Sequence, residues 1–133
     1  MQLVLTRSQK KSGMMTKSVV FILNAQTRLT NEEAFAVKEY GLGNQLIYSS
    51  ENARKHADNA GKKGLIGGAV SLAMSKLSLN ITIDSLTSGH QVECKSLDEI
   101  LGAEEAMREA CENLKNYLAV AQSFDGREEI IEF

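Results

Sequence analysis

The 133-residue sequence predicts an α+β domain with a mixed, mainly antiparallel sheet of about four to five strands and helices packed on one face. Short β-prone apolar runs alternate with longer segments whose apolar residues recur at helical spacing. The hydrophobic fraction of 43% and the charged fraction of 24% are ordinary for a globular domain. The predicted order is β-α-β-α(α)-β-β-α-β, and its hairpin favours α+β over a regular parallel fold.

A flexible basic N-terminal arm is predicted for residues 1–17, before a single α+β domain over residues 18–133. Polar segments with several charges of one sign are typically mobile. Met14 and Met15 lie directly before the first clear strand, so each is an alternative to Met1 as the natural start. The arm contains four basic residues and no acidic residue: Arg7, Lys10, Lys11 and Lys17.

The first clear strand begins with the apolar run of residues 19–23, which is typical of a strand covered on both faces. Beyond it, polar and apolar residues alternate, so one face is expected to meet water. Thr30 and Glu33 have the spacing of a capping box and predict a helix over NEEAFAVKEY. Gly41 or Gly43 is expected to end that helix. Its inner stripe is predicted to comprise Phe35 and Ala36, with Tyr40 as a further candidate.

The middle of the chain predicts a short strand over residues 45–50 and a hairpin further on. Residues 51–64 fit a helix or a loop, because ENARKHADNA offers only alanines to a core. Residues 65–76 have helical spacing, and their glycines indicate close packing. The strand LSLNITID is expected to pair with HQVECKS as an antiparallel hairpin. The inward residues of this hairpin are predicted to be Leu77, Leu79, Ile81, Ile83, Val92 and Cys94.

The strongest helix prediction covers residues 97–121. Ser96 is its expected N-cap, and Glu99 occupies the capping-box position three residues later. One apolar stripe runs along this helix and is expected to face the core: Leu97, Ile100, Met107, Cys111, Leu114, Leu118 and Ala121.

The last segment, EEIIEF, predicts a short final strand in which Ile131 and Phe133 face the same side. We expect this strand to lie at a sheet edge, where apolar side chains pair readily with a second chain. Ile131 and Phe133 are therefore the predicted interface residues.

Charge is unevenly divided along the chain. Residues 1–64 contain ten Lys/Arg and five Asp/Glu, and residues 65–133 contain five and twelve. The two parts therefore carry +5 and −7, which sum to the net charge of −2. Such a division favours complementary contacts between subunits, or nucleic-acid binding by the basic half.

The sequence shows no arrangement typical of catalysis or metal binding. His90 and Cys94 are four residues apart on one predicted strand, about 13 Å, which is too far for one zinc ion. We expect a buried Cys94 and a His90 exposed at a turn. Adjacent acidic residues diverge on helices and strands, so none of the acidic pairs converges on a substrate. Cys111 lies in an apolar stripe, which is typical of a core thiol. We therefore expect no catalytic residue, no metal and no cofactor.

The stretch NAGKKGLIGG resembles the GxxG loop with which KH domains clamp a nucleic-acid backbone. The surrounding elements follow the β-α-α-β-β-α order of one KH type. The resemblance implies that the lysines neutralise phosphates and that the glycines let the backbone approach. Nucleic-acid binding by this loop and the basic N-terminal half is thus an alternative function. The residues that would carry it are Arg54, Lys55, Gly61, Lys62, Lys63 and Gly64.

The sequence contains no pattern typical of a signal peptide and no apolar run long enough for a membrane span. We expect a cytoplasmic protein in which both thiols are reduced. The predicted function is that of a small non-catalytic domain acting by self-association or by binding a protein partner. Nucleic-acid binding is the alternative, and no membrane or metal partner is expected.

Overall fold

The computed structural model describes residues 1–13, 18–51 and 78–133. In these ranges the chain has the predicted α+β fold, but with antiparallel sheets of three and two strands instead of one sheet of four to five. The predicted helix over residues 65–76 lies outside the described residues. The elements are β1 (Gln2–Ser12), β2 (Ser18–Arg28), α1 (Asn31–Glu39), β3 (Leu46–Ser49), β4 (Asn80–Thr82), α2 (Ile83–Ser88), β5 (His90–Cys94) and α3 (Leu97–Ser123).

β2 is the middle strand of the larger sheet, and both of its neighbours, β1 and β5, run antiparallel to it. Its burial alternates as the sequence predicts, with Leu23, Ala25 and Thr27 buried and the residues between them exposed. β5 pairs with the central part of β2, so Val92 and Cys94 lie together on the buried face. This face forms the floor on which α3 packs.

Residues 2–12 form β1, whereas their composition predicts a flexible arm over residues 1–17. All eleven residues pair in register with β2. Leu3 and Leu5 alternate with polar residues, and both pack against the core. The basic charge of the segment predicts mobility, but Leu3 and Leu5 point to the same face of the strand. Their packing anchors the first half of β1 to the sheet.

The predicted hairpin between LSLNITID and HQVECKS is wrong, because β4 pairs with β3 and β5 pairs with β2. β4 ends at Thr82, whose hydroxyl caps α2 by accepting a hydrogen bond from the N–H of Ser85 at 3.2 Å. The Ser85 hydroxyl accepts in return from the N–H of Thr82 at 3.0 Å. This short helix replaces the predicted turn and sends β5 to the other sheet. The inward assignment is confirmed for Leu79, Ile81 and Ile83, which are buried.

α1 has the predicted capping box at its start. The Thr30 hydroxyl accepts from the N–H of Glu33 at 3.2 Å, and the Glu33 carboxylate accepts from the N–H of Thr30 at 3.0 Å. Gly41, with φ of +63°, follows the helix end in the left-handed conformation. The predicted inner stripe is only partly confirmed, since Ala36 is buried but Phe35 and Tyr40 are exposed.

α3 packs across both sheets and closes the core. It contacts the larger sheet, where Cys111 Sγ is 3.5 Å from the hydroxyl of Thr27. In its second half, Asn113 donates a hydrogen bond from Nδ2 to the backbone oxygen of Ile47 on β3 at 2.7 Å. The buried residues of the helix form one continuous face: Ile100, Gly102, Ala103, Ala106, Met107, Ala110, Leu114 and Leu118.

The ends of α3 differ slightly from the prediction. Ser96 is the N-cap, but Glu99 accepts its hydrogen bond from the N–H of Lys95 instead of from the cap itself. The helix ends at Ser123, two residues later than predicted. Leu97 was expected in the core stripe and is 63% exposed, because this first residue of the helix lines an open groove instead of the core.

Candidate functional site

An open groove lies between the larger sheet and the first turn of α3, with a volume of about 320 Å³. We call it the β1–α3 groove. Phe21, Leu97 and Ile100 supply its apolar walls. It exists because β2 continues outward beyond Leu23, while α3 begins only at Leu97 and leaves the sheet uncovered there. Its lining residues are Arg7, Ser8, Gln9, Phe21, Ile22, Leu97 and Ile100.

Arg7 is fixed at the wall of the groove by Glu104 of α3. The guanidinium Nε donates a hydrogen bond to Glu104 Oε1 and forms an ion pair with it. That hydrogen bond, followed by the attraction between the two charges, raises the pKa of Arg7 and lowers the pKa of Glu104. Because Arg7 contacts α3, the odd-numbered residues of β1 face the helix and the even-numbered residues face away.

β1 forms an edge of the larger sheet, since β2 is its only strand neighbour among the described residues. Its eleven residues make a long edge, and long edges are templates for pairing with another chain. Lys10 and Lys11 are exposed on this edge, and neither forms an ion pair within the described ranges. The groove is thus bordered by an edge strand with positive charge.

The last ten residues, 124–133, form neither helix nor strand, so the predicted final strand is not formed within the chain. We call them the C-terminal segment. They leave α3 at the end opposite the groove, and all ten are exposed. The predicted interface residues lie here, with Ile131 65% exposed and Phe133 fully exposed. Ile130 is 81% exposed beside them, which is a high apolar exposure for three neighbouring positions.

A second, wider cleft of about 870 Å³ lies between the end of β2, α1 and α2. Its charged lining residues have opposite signs, with Arg28 and Lys38 against Asp84. The Asp84 carboxylate sits directly over Gly43, where an added Cβ would lie 2.6 Å from Oδ1. The lining contains neither cysteine nor histidine. The full lining is Gln26, Thr27, Arg28, Leu29, Ala34, Val37, Lys38, Gly41, Gly43, Asn44, Asp84 and Thr87.

The two cysteines occupy interior positions. Cys94 is buried, as predicted, and burial raises the pKa of its thiol to about 11, with a further contribution from the charge of Glu99. Cys111 is partly buried, and its Sγ contacts the Thr27 hydroxyl at 3.5 Å and the Met1 sulfur at 3.7 Å. A nucleophilic thiol needs a lowered pKa and access to solvent, and Cys94 has neither.

His90 differs from its predicted place at an exposed turn. It is the first residue of β5 and is partly buried, and this burial lowers the pKa of its imidazole. Within residues 1–13, 18–51 and 78–133, no three His, Cys, Asp or Glu side chains lie close enough together to hold a metal ion. None of the helices in those ranges combines the length and hydropathy of a membrane span.

The residues predicted for nucleic-acid binding, Arg54, Lys55, Gly61, Lys62, Lys63 and Gly64, all lie outside the described residues. Residues 52–64, for which the sequence leaves helix and loop as alternatives, also lie outside the described residues. The groove residues Phe21, Leu97 and Arg7 were not predicted as a site. The available signal was the position of Leu97 directly after the Ser96 cap, where a helix has only begun to cross a sheet.

Comparison of the chain with protein-family models, with curated proteins and with solved structures found no significant match in any of the three.

Proposed function

We propose that this chain is a non-catalytic protein-binding domain that associates with itself through the β1–α3 groove. One observation carries the proposal: an apolar groove of about 320 Å³ adjoins an eleven-residue edge strand that has no second strand partner among the described residues. Strand edges beside apolar pockets bind extended segments, because the edge supplies backbone hydrogen bonds and the pocket accepts alternate side chains.

The chemistry of the described side chains supports a non-catalytic role. The Cys94 thiol is protonated at neutral pH because its pKa is about 11. Glu104 is held by Arg7, and Glu33 is held by the capping box and by the amino group of Met1 at 3.0 Å. The Cys94 thiol is buried, and the carboxylates of Glu33 and Glu104 bind other groups of the fold. None of the three is therefore placed to exchange protons with a substrate.

Self-association through the groove is tested by changing Leu97 and Leu101. Both are exposed positions of α3, at 63% and 54%, but only Leu97 lines the groove. We expect the unmodified chain to show concentration-dependent association by sedimentation velocity between about 1 and 100 µM. Leu97→Glu should weaken it at least about tenfold, because the new carboxylate would be buried among apolar walls. Leu101→Glu should leave it unchanged.

Two results would contradict the proposal. One is a chain that stays monomeric throughout this range. The other is a Leu97→Glu variant that associates as tightly as the Leu101→Glu control. Circular dichroism of both variants checks that the fold is retained, which we expect because both positions are largely solvated.

Nucleic-acid binding is the second candidate function. The described observation that favours it is the exposure of Lys10 and Lys11 on β1, without ion-pair partners in the described ranges. Binding through phosphates would weaken as salt rises, because each contact releases counterions. We would measure fluorescence anisotropy of a labelled single-stranded RNA at about 50 and 200 mM salt. The variant Lys62→Glu/Lys63→Glu should lose binding if the GKKG loop is the clamp, and no binding at the lower salt would exclude this function.

A further inference from the structure

Resting on the proposed function, we infer that the occupant of the β1–α3 groove is the C-terminal segment of a second copy of this chain. In this arrangement residues 128–133 add to the edge of β1 that has no strand partner in the described part of the chain, and Ile131 and Phe133 enter the groove. The association is then reciprocal, with two identical contacts in one dimer. Three observations carry this inference: charge, the pattern of side chains, and reach.

Charge complementarity is the first observation. β1 contains Arg7, Lys10 and Lys11 and no acidic residue, so it carries +3. The C-terminal segment carries −3, because it contains four acidic residues and one basic residue: Asp125, Arg127, Glu128, Glu129 and Glu132. Opposite charges on adjoining strands stabilise pairing, and like charges oppose it. The same rule disfavours the simplest competing dimer, in which two β1 edges would bring +3 against +3.

The side-chain pattern is the second observation. In an extended strand, Ile131 and Phe133 project to one side and Glu132 to the other. Paired with β1, the two apolar side chains can face α3 and the groove, while Glu132 shares the opposite face with Lys10. Residues 128–133 extend for about 20 Å, as do residues 7–12 of β1, of which Arg7, Ser8 and Gln9 line the groove. The segment therefore matches this half of the edge strand in length, polarity and alternation.

The third observation is the distance that the C-terminal segment can span. It decides whether the segment binds the groove of its own copy or that of a second copy. α3 has 27 residues, so its two ends lie about 40 Å apart. The groove is at its first turn, and the C-terminal segment begins at its last. Measured from Ile100, the groove residue farthest along α3, the distance to Ser123 is still about 35 Å. Only five residues lead from Ser123 to Glu128, about 18 Å when fully extended, so a copy cannot lay residues 128–133 along its own groove and the contact is made between copies.

Two contacts of this kind form in one dimer when a two-fold axis relates the copies. When the segment of one copy occupies the groove of the other, a two-fold axis places the second segment in the first groove. The result is a closed dimer, which does not extend into a fibre. Because each contact pairs basic with acidic residues, the dimer should weaken as salt rises.

The test uses the full chain with Ile131→Ser/Phe133→Ser, and the neighbouring Ile130→Ser as matched control. Ile130 is even more exposed than Ile131, but an extended strand directs it away from the groove. By sedimentation velocity, we expect the double variant to weaken association at least about tenfold, while Ile130→Ser has less than about a threefold effect. Raising salt from about 50 to 500 mM should weaken the unmodified dimer.

A mixing experiment tests docking between copies directly. The Leu97→Glu variant keeps an intact C-terminal segment, and the double variant keeps an intact groove. A dimer of either variant alone cannot pair an intact groove with an intact C-terminal segment. A mixed dimer contains one such contact. We expect the mixture to associate more strongly than either variant alone and less strongly than the unmodified chain. No gain on mixing would overturn docking in trans.

The outcomes separate this inference from the proposed function. If Leu97→Glu weakens association and the double variant does not, the groove is the self-association surface but the C-terminal segment is not its occupant. If neither variant weakens association, both the groove and its occupant are wrong. If both weaken it and the mixture recovers association, the C-terminal segment of a second copy occupies the groove.

Discussion

Replacing Leu114 by alanine should lower the free energy of unfolding by about 2–5 kcal/mol. Leu114 is fully buried on the face of α3 that closes the core. The substitution removes three carbon atoms, whose transfer from water contributes about 2.4 kcal/mol at roughly 0.8 kcal/mol each. The cavity left behind adds to this cost, because neighbours held by both sheets cannot collapse fully into it.

The matched variant is Leu97→Ala on the same helix. Leu97 is 63% exposed, so its truncation loses only a little over a third of the transfer free energy of about 2.4 kcal/mol. The expected cost is therefore about 0.9 kcal/mol. Urea unfolding followed by circular dichroism measures both variants. With a slope of about 2 kcal/mol per molar for a chain of this size, the midpoint should fall by about 1–2.5 M for Leu114→Ala and by less than about 0.5 M for Leu97→Ala.

The measurement should be made near 1 µM protein, because association through the groove would add stability at higher concentration and Leu97 lines that groove. Equal losses for the two variants would refute this account of α3. Such a result would mean that its first turn is as well packed as its middle, and the groove would then not exist.

Three further predictions concern local features. Thr30→Ala should cost about 1 kcal/mol in urea unfolding, because it removes the acceptor for the N–H of Glu33, while Thr30→Ser should retain most of the stability. Gly41→Ala should cost about 1 kcal/mol in the same assay because φ is +63°, and Gly41→Asn should cost less; equal effects would contradict the left-handed helix end. Burial raises the pKa of Cys94 from 9.0 to about 11, so the unfolded chain releases this proton first and stability should fall as pH rises from about 9 to 11. Cys94→Ala should make this decline shallower, and an unchanged pH profile would contradict the raised pKa.

The sequence predicted well those features that depend on neighbouring residues. The capping box at Thr30 and Glu33 and the start of α3 after Ser96 follow from contacts three or four residues apart. The buried alternation of β2 and β5 follows from a period of two, which any half-covered strand must obey. These features needed no knowledge of which strands pair.

Strand pairing could not be predicted in the same way. β5 joins β2 across more than sixty residues, while β4, only seven residues before β5, joins β3. A hairpin was the natural expectation for two alternating strands with a turn between them, but the Thr82 cap starts a helix there. The exposure of Leu97 and Phe35 has a similar origin: helical spacing identifies a stripe, and only the neighbouring elements determine how much of it is covered.

The energetics of the C-terminal segment indicate why the proposed dimer should be reciprocal. Burial of Ile131 and Phe133 and backbone hydrogen bonds to β1 favour each contact. Ordering six residues and losing translational freedom oppose it, so a single contact gives only weak association. Two contacts in one dimer share that loss, because the second forms within an existing complex. Association should therefore be weak, and removing one of the two contacts should weaken it far more than twofold. This is why the mixed pair, with its single contact, is expected to lie well below the unmodified chain.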